Sequence, residues 1–539
     1  MAGARVEMSE GEMSGPAAAS EPTVRQLAAV LTASILGSSM AFINGTAVTL
    51  ALDPIQAGLR ASLSEMLWVA SIYMLFMSAL MLIGGAIGDF YGRRATFIAG
   101  VVLFTLASVG CALAPDAELL IAARGVQGIG AALLTPMSLT LLSDHFPKER
   151  RGMAIGIWSA VSAVMTAIGP PVGGWLAEFA SWRSIFFLPL PFGLLAIVVA
   201  GFLVPKKPPP RVPESIDWAG ALLTIIGFSG LAYGLITLSD ENGIQSALSW
   251  SVPMGVGVVA LGLLVLVELN AKSPMTPPAL FTLGTFNAIN AITLLLYGAM
   301  GGIFVFYPIV LTDAYGFRMN EIGTAFLGFA LPVVLLTPFS STLSRRFGIR
   351  LMLAAGSAVG IVAFALMGLS PYSGTLWGVF LSIAVFGAGI ALVVPSMHAA
   401  LFNATPDEAH GVASGINNAF ARAATLFAIA GYGAAASVAF SAAAGPAARA
   451  AGYGAGEMLS GADLLNYQEA MIASFHVLTW ISIGLCIMGL FVALIFIDPS
   501  IERHDQDGDD LDEVPGAGVR HILGAAAGAD INDELAEDE

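Results

Sequence analysis

The sequence predicts an all-α polytopic membrane protein: two six-helix bundles with two further helices inserted between them, fourteen transmembrane helices in all. Three observations predict it. The 539 residues are 57% hydrophobic and only 11% charged, against about 25% charged in soluble domains, so lipid must solvate most of the surface. Fourteen segments are apolar over the ~20 residues that a bilayer crossing needs. The basic residues gather in alternate loops, and the chain repeats itself at a fixed offset.

The expected spans fall into three groups. The first six are 26–50, 65–87, 95–114, 118–143, 151–177 and 184–204; two follow at 217–238 and 249–269; the last six are 285–312, 321–343, 350–370, 374–401, 411–436 and 472–497. Pro205-Lys206-Lys207-Pro208-Pro209-Pro210-Arg211 separates the first group from the second, a charged, proline-rich run that no helix interior tolerates. The expected organisation is a cytoplasmic tail (1–25), an N-terminal six-helix bundle (26–204), a linker with two extra spans (205–284), a C-terminal six-helix bundle (285–497) and an acidic tail (498–539). The first 25 residues are polar and carry no cleavable-leader pattern, so the first span is read as retained.

Loop charges test that count. With the N-terminus in the cytoplasm, the cytoplasmic connections hold Arg93, Arg94, Lys148, Arg150, Arg151, Lys206, Lys207, Arg211, Lys272, Arg345, Arg346 and Arg350. The outer side holds Arg60, Arg183, Arg318 and Arg449. This is the asymmetry of the positive-inside rule, and it places both termini in the cytoplasm. The net charge of −16 comes mostly from the tail, where fourteen acidic residues from Asp498 onward face Arg503 and Arg520. That composition reads as solvated chain. Cys111 and Cys486 each sit in an apolar run, so no disulfide or metal framework is expected.

A shift of 259 residues superposes Gly128 and Gly130 on Gly387 and Gly389, and Pro136 and Pro147 on Pro395 and Pro406. It also lays Arg151-Gly152-Met153-Ala154-Ile155-Gly156-Ile157 on His410-Gly411-Val412-Ala413-Ser414-Gly415-Ile416. Weak repeats of this kind mark transporters built from two related halves.

Three motifs lie in the N-terminal half. Gly85-Ala86-Ile87-Gly88-Asp89-Phe90-Tyr91-Gly92-Arg93-Arg94 joins spans 2 and 3. Its glycines permit a tight turn, and Asp89 can hold a basic group at the membrane surface. Arg124-Gly125-Val126-Gln127-Gly128 lies on span 4. A cation there faces a cavity or a partner, or snorkels outward over about 9 Å of helix. Span 5 ends Gly169-Pro170-Pro171-Val172-Gly173-Gly174, with Gly156 upstream; small residues permit close helix contact and prolines bend the helix.

The first string resembles the signature loop of the major facilitator superfamily, G-x-L-x-D-x-x-G-R-[KR]. That resemblance implies a cytoplasmic latch of Gly85, Asp89, Gly92, Arg93 and Arg94. The second-half copy, Leu343 to Gly348, has Arg345 in the Asp position. The second string resembles the R-x-x-Q-G motif of proton-coupled facilitators, which implies that Arg124 lies near a proton path. The third resembles the antiporter motif of drug exporters, carried here by Gly156, Gly169, Pro170, Gly173 and Gly174, with Met165 in the place of its middle glycine. With Ser181-Trp182-Arg183 ahead of span 6 and the two extra spans, the chain is similar to the fourteen-helix drug:proton antiporter branch, of the multidrug efflux type. The resemblance implies a bacterial inner-membrane exporter that works by alternating access.

One departure stands out. Where the branch has L-D-x-T-I-V-N-V-A-L-P, this chain has Asn44 at the Asp, Thr49 at the Asn and Asp53 at the Pro. Asn44 does not exchange a proton; it hydrogen-bonds a substrate or pairs with a neighbouring helix. The remaining proton-coupling candidates are Arg124, His398 and Asp53. The substrate-cavity candidates are Asn44, Thr49, Trp158, Tyr297, Tyr307, His398, Asn417 and Arg422. Arg422 and Arg124 lie deep while Asp53, Asp144, Glu178, Glu268 and Asp313 sit near helix ends, which suggests anionic or amphipathic substrates.

The expected partners are therefore a small-molecule substrate, protons and the bilayer, with the protein a monomer and no nucleic acid. No phosphate-binding G-x-x-x-x-G-K-[ST] loop, metal-ligand set or catalytic constellation is read, so no cofactor, metal or enzymatic activity is expected. Two other readings stand: a proton-independent facilitator or lipid/metabolite exporter of the same fold, and a membrane sensor or scaffold signalling through the acidic tail.

Overall fold

The computed structural model describes residues 23–207, 217–239, 246–271, 274, 276–369, 375–406, 409–454, 456 and 459–498. Arg211, Lys272, the residues before 23 and the acidic run after Asp498 lie outside the described residues, as does the Pro208–Pro210 stretch. All regular structure among the described residues is helical.

Fourteen helices are long and apolar enough to cross a bilayer. They are α1 (Val24–Leu50), α2 (Leu63–Tyr91), α3 (Arg93–Leu113), α4 (Ala117–His145), α5 (Arg150–Phe179), α6 (Ser184–Phe202), α7 (Trp218–Thr237) and α8 (Ala247–Asn270). In the second half come α9 (Gly284–Asp313), α10 (Met319–Ser340), α11 (Ile349–Leu369), α12 (Leu376–Asn403), α13 (His410–Ala443) and α14 (Gly461–Phe496). The expected spans match in number and order. The largest difference is α14, which starts at Gly461 rather than 472. Its first turns carry Asp463, Asn466, Gln468 and Glu469, too polar for a hydropathy window. They stay helical because Tyr467 is buried there, with Phe440 5.4 Å away ring to ring and its hydroxyl donating to Asp313 at 2.7 Å.

Local chemistry sets the helix starts. Ser62 and Glu65 close a reciprocal capping box at α2, 3.2 Å and 2.7 Å, and Asp116 caps α4 at 2.8 Å. One residue, Gly92 at φ 100°, turns α2 into α3, and Gly348 at φ 90° plays the same part before α11; a side chain at either position would be strained.

The two six-helix bundles, α1–α6 and α9–α14, pack by one scheme. In the first, α4 lies against α2 and α3; in the second, α12 lies against α10 and α11. The glycines that the repeat superposes make these contacts. A Cβ at Gly128 would fall 2.6 Å from the Tyr73 carbonyl of α2, and one at Gly387 would fall 2.6 Å from the Phe329 carbonyl of α10. Gly130 abuts Phe104 of α3 and Gly389 abuts Gly356 of α11. The repeat is thus a repeat of helix contacts.

The inserted pair α7–α8 packs on itself through Gly227, Gly230 and Gly257. α7 also lies on both α2 and α13, with Tyr233 against Trp68 and Phe228 against Phe427. The insertion therefore covers one seam between the bundles. The other seam is α5 on α10.

Candidate functional site

The bundles are joined asymmetrically. Two ends can be told apart: one carries Arg93, the other Arg318. Toward the Arg318 end, Arg318 pairs with Glu178 at 3.1 Å, and the Trp175 indole donates to Thr324 at 3.2 Å. Gly174 of α5 is 2.7 Å, measured from an added Cβ, from the Met319 carbonyl of α10. One hydrophobic core runs there through both bundles, from Leu50, Leu67 and Phe186 to Ile303, Phe326 and Phe475. Toward the Arg93 end lies a second core, Phe97, Leu141 and Phe146 of the first bundle among its members, which also takes in Leu426 of α13. There Gly152, Gly156, Ser159 and Ala160 of α5 are exposed, as are Val334, Leu335 and Phe339 of α10. On the α5–α10 seam these contacts gather at the Arg318 end; on the other seam the bundles meet in the Arg93 half as well, where a Cβ at Gly415 of α13 would stand 3.4 Å from Leu82 of α2.

At mid-depth in the first bundle lies a buried cation. Arg124 is 1% exposed. Its Nη1 donates to Asn44 Oδ1 at 2.8 Å and Gln127 Oε1 at 2.6 Å, and its Nε to the Val69 carbonyl at 3.2 Å. Gln127 Nε2 donates in turn to Ser108, 2.7 Å. The guanidinium carbon stands 4.4 Å from the centroid of the Tyr73 ring, whose hydroxyl donates to the Ala41 carbonyl. Snorkelling is excluded; the cation is held inside by amides, a carbonyl and a ring face. Asn44 is fully buried with its Oδ1 on Arg124 of α4, and its Nδ2 has no hydrogen-bond partner.

Arg422 is the second deep cation, twelve residues into the 34-residue α13. It is half-buried, its guanidinium carbon is 5.2 Å from the Phe42 ring centroid, and its buried Nε has no partner. Phe42 meets Trp158 edge-on at 6.4 Å, and Trp158 donates to Ser38 at 2.7 Å. Tyr73 and Tyr297 are within electrostatic reach of Arg422. Arg422, Phe42 and Trp158 thus form one line of contacts, and Tyr73 carries the Arg124 guanidinium on its ring.

Other cavity candidates lie elsewhere. Tyr307 is fully buried and stacks on Phe475 at 5.0 Å, a packing position between α9 and α14. Asn417 is 3% exposed and donates to Asn290 and Thr293 at 3.0 and 2.8 Å, inside the second bundle. Thr49 donates to its own helix, at the Thr46 carbonyl. Asp53 opens a short separate helix, Leu52–Leu59, rather than ending α1. His398 is half-buried on α12 with Nδ1 on the Val394 carbonyl at 2.8 Å. A carbonyl only accepts, so Nδ1 carries the proton and Nε2 is left able to take one.

The Asp89 loop forms a cluster within the first bundle. Arg93 binds Asp89 at 2.9 Å and also Asp144 at the end of α4. Arg94 donates to the Ala200 carbonyl at 2.7 Å and to that of Gly201, and Lys207 reaches the Asp144 carbonyl. Asp144 is the member that sequence reasoning missed, although it ends its helix at the depth of Arg93. The close glycines are Gly84 and Gly88, against Ala132 and Met137, while a Cβ at Gly85 meets nothing within 4 Å. In the third motif Gly169 and Gly173 meet Thr46 and Ala47 of α1, and Gly174 meets α10; Gly156 is open.

A family model described as Major Facilitator Superfamily matches residues 34–291 and 289–526. The multidrug resistance protein Stp of Mycobacterium tuberculosis (strain CDC 1551 / Oshkosh) is 31% identical over 390 residues, 72% of each chain. The methylenomycin A resistance protein of Bacillus subtilis (strain 168) is 31% identical over 72% of this chain and 83% of its own. Among solved structures, a peptide transporter POT in complex with sulfate superposes with a TM-score of 0.61 at 16% identity, over 89% of this chain and 95% of that one; that likeness is one of fold.

Proposed function

The chain belongs to the Major Facilitator Superfamily, and on that footing we propose that it exports small organic compounds by alternating access, driven by protons moving the other way. The observation that carries this is the uneven α5–α10 seam: Arg318 with Glu178, Trp175 with Thr324 and Gly174 on Met319 at the Arg318 end, against exposed α5 and α10 positions at the Arg93 end. That is the loading state of an exporter whose Arg93 end faces the cytoplasm. The excess of loop arginine and lysine at that end supports the orientation, and with it cytoplasmic termini in a bacterial inner membrane. Export rather than uptake is supported by the resistance functions that the relatives are named for. His398 Nε2 is the group proposed to take the proton, since Nδ1 is committed to Val394.

A proton-independent facilitator is the second reading, favoured by one observation. Arg124, in the motif tied to coupling, has amide partners in Asn44 and Gln127 and no carboxylate. Proteoliposomes with a pH dye inside separate the two, offered cationic, neutral and anionic amphiphiles at pH 5.5 and 7.5. Proton flux that follows substrate, and disappears in His398→Ala, is expected. Substrate flux without proton flux would hand the function to the facilitator reading, and no flux of any compound would overturn export itself.

A further inference from the structure

We infer that the midplane site binds aromatic compounds through an anionic group, a carboxylate or sulfonate, held by Arg422. The inference rests on the exporter reading only in calling that compound a substrate; binding stands apart from transport.

Among the described residues the ion pairs within 4.0 Å are Arg93 with Asp89 and Asp144, and Arg318 with Glu178, all at helix ends. The Asp and Glu residues described in α1–α14 lie within a turn of a helix end, save exposed Glu469 two turns into α14. Among the described residues, the helix interiors therefore hold two guanidinium groups, Arg124 and Arg422, and, Glu469 apart, no carboxylate. An uncompensated charge in a low-dielectric interior is unfavourable, so each must be accounted for.

Arg124 is accounted for. Its donors meet Asn44, Gln127 and the Val69 carbonyl, and its face meets Tyr73. Arg422 is not: its Nε is buried and unpartnered, and the contact on its face is Phe42. A guanidinium with a free Nε edge presents two parallel N–H donors, the geometry that takes a carboxylate bidentately. Phe42 against the guanidinium, and Trp158 edge-on to Phe42, supply flat apolar surface next to Arg422, which suits an aromatic body attached to the anion. Asn44 deepens the asymmetry: with an amide in place of an acid, no fixed negative charge on α1 competes for either arginine.

The test is binding to the purified full-length chain in detergent. The probes are phenylacetate, naphthalene-2-acetate and pyrene-1-acetate, each against its own primary amide, read by calorimetry and by quenching of tryptophan fluorescence. The expected result is that at least one acid binds at least tenfold tighter than its amide. In Arg422→Gln that preference collapses to within twofold, and Arg422→Lys, which keeps charge but loses the fork, retains an intermediate preference. Equal affinity of acids and amides for the unaltered protein overturns the inference, as does the absence of saturable acid binding. A preference that survives Arg422→Gln, in protein that still elutes as one species, overturns the assignment to Arg422. Should Arg422→Gln not fold, the preference of the unaltered protein and its reduction in Arg422→Lys decide. Acid binding without transport would sink the exporter reading and leave this one standing.

Discussion

The two halves share a skeleton and differ in what fills it. Under the 259-residue shift, Arg124 falls on Ile383 and Gln127 on Phe386, both buried. The first bundle holds a charged, hydrogen-bonded centre there. The second holds an aromatic one, in which Phe304 lies 5.1, 5.2 and 5.7 Å from Phe326, Phe329 and Phe386. The same contrast appears at the surface turn. Asp89, Arg93 and Asp144 tie α2, α3 and α4 together, whereas laying Gly92 on Gly348, a shift of 256, puts Arg345 and Ile349 at the first two places, and the 259-residue shift puts Asn403 at the third. The glycines that set helix spacing are kept in both. The close helix crossings are kept in both halves, but the polar groups differ: the first bundle holds the Arg124 centre and the Arg93 cluster, and the second contributes Arg422 and His398.

The largest effect should come from making the first half resemble the second. Arg124→Ile leaves Asn44, Gln127 and Ser108 buried without their central donor. Losing a buried hydrogen bond to a charged group costs up to about 3 kcal/mol, so transport should fall roughly a hundredfold with the melting temperature lowered in parallel. Flux in proteoliposomes and thermal unfolding in detergent measure both. Activity within twofold of the parent would mean that the charged centre is dispensable and that the halves do not differ in role.

Next in size are the shared glycines. Gly128→Val and Gly387→Val each drive a side chain onto a carbonyl that a bare Cβ would meet at 2.6 Å. Overpacking of this kind costs about 1–3 kcal/mol, and the two variants should lose stability equally. A large loss in one half and none in the other would mean that only one bundle depends on the close crossing. Smaller again is the surface cluster. Arg93 and Asp144 are partly exposed, with side chains 21% and 26% accessible, so Asp144→Asn should cost about 1 kcal/mol after solvent screening, a roughly fivefold slowing. Arg345→Asn in the second half should leave flux within twofold; equal slowing of both would show a second latch where the acid is missing.

Much of this was legible in the sequence, and the reasons are physical. Helix count and order follow from hydropathy, because a bilayer demands about 20 apolar residues in a row. The 259-residue repeat is visible in glycines because close helix crossings admit little else. The depth of Arg124 and Arg422 is a matter of counting along a helix. Facing is not. Tyr297 and Tyr307 are ten residues apart on α9, about 15 Å of helix rise, which hydropathy does record; that Tyr307 stacks on Phe475 within its bundle while Tyr297 is within electrostatic reach of Arg422 it does not. Helix rotation is fixed by packing partners more than 100 residues away, and a single sequence carries no record of them. For the same reason Asp144 reads as an isolated end carboxylate until α3 is laid beside α4.

The smallest change tests the difference between the halves most closely. Asn44→Asp alters one buried atom set, exchanging the Nδ2 that has no partner for an oxygen. The Oδ1 contact to Arg124 at 2.8 Å is kept, and the amide–guanidinium hydrogen bond becomes an ion pair between two charged partners. Little stability should be lost, since the orphaned donor disappears and the buried cation gains a counter-charge. The consequence is in coupling. An acid beside Arg124 can release its proton while paired and recover it when the bundles rock and the pairing loosens, so transport should acquire a steeper dependence on the pH gradient, by about threefold or more across pH 5.5 to 7.5. Flux measured across imposed gradients, in the parent and in Asn44→Asp, reads this directly. A parallel response in the two proteins would mean that position 44 is purely structural, and that the charged centre of the first half positions helices without taking part in proton movement.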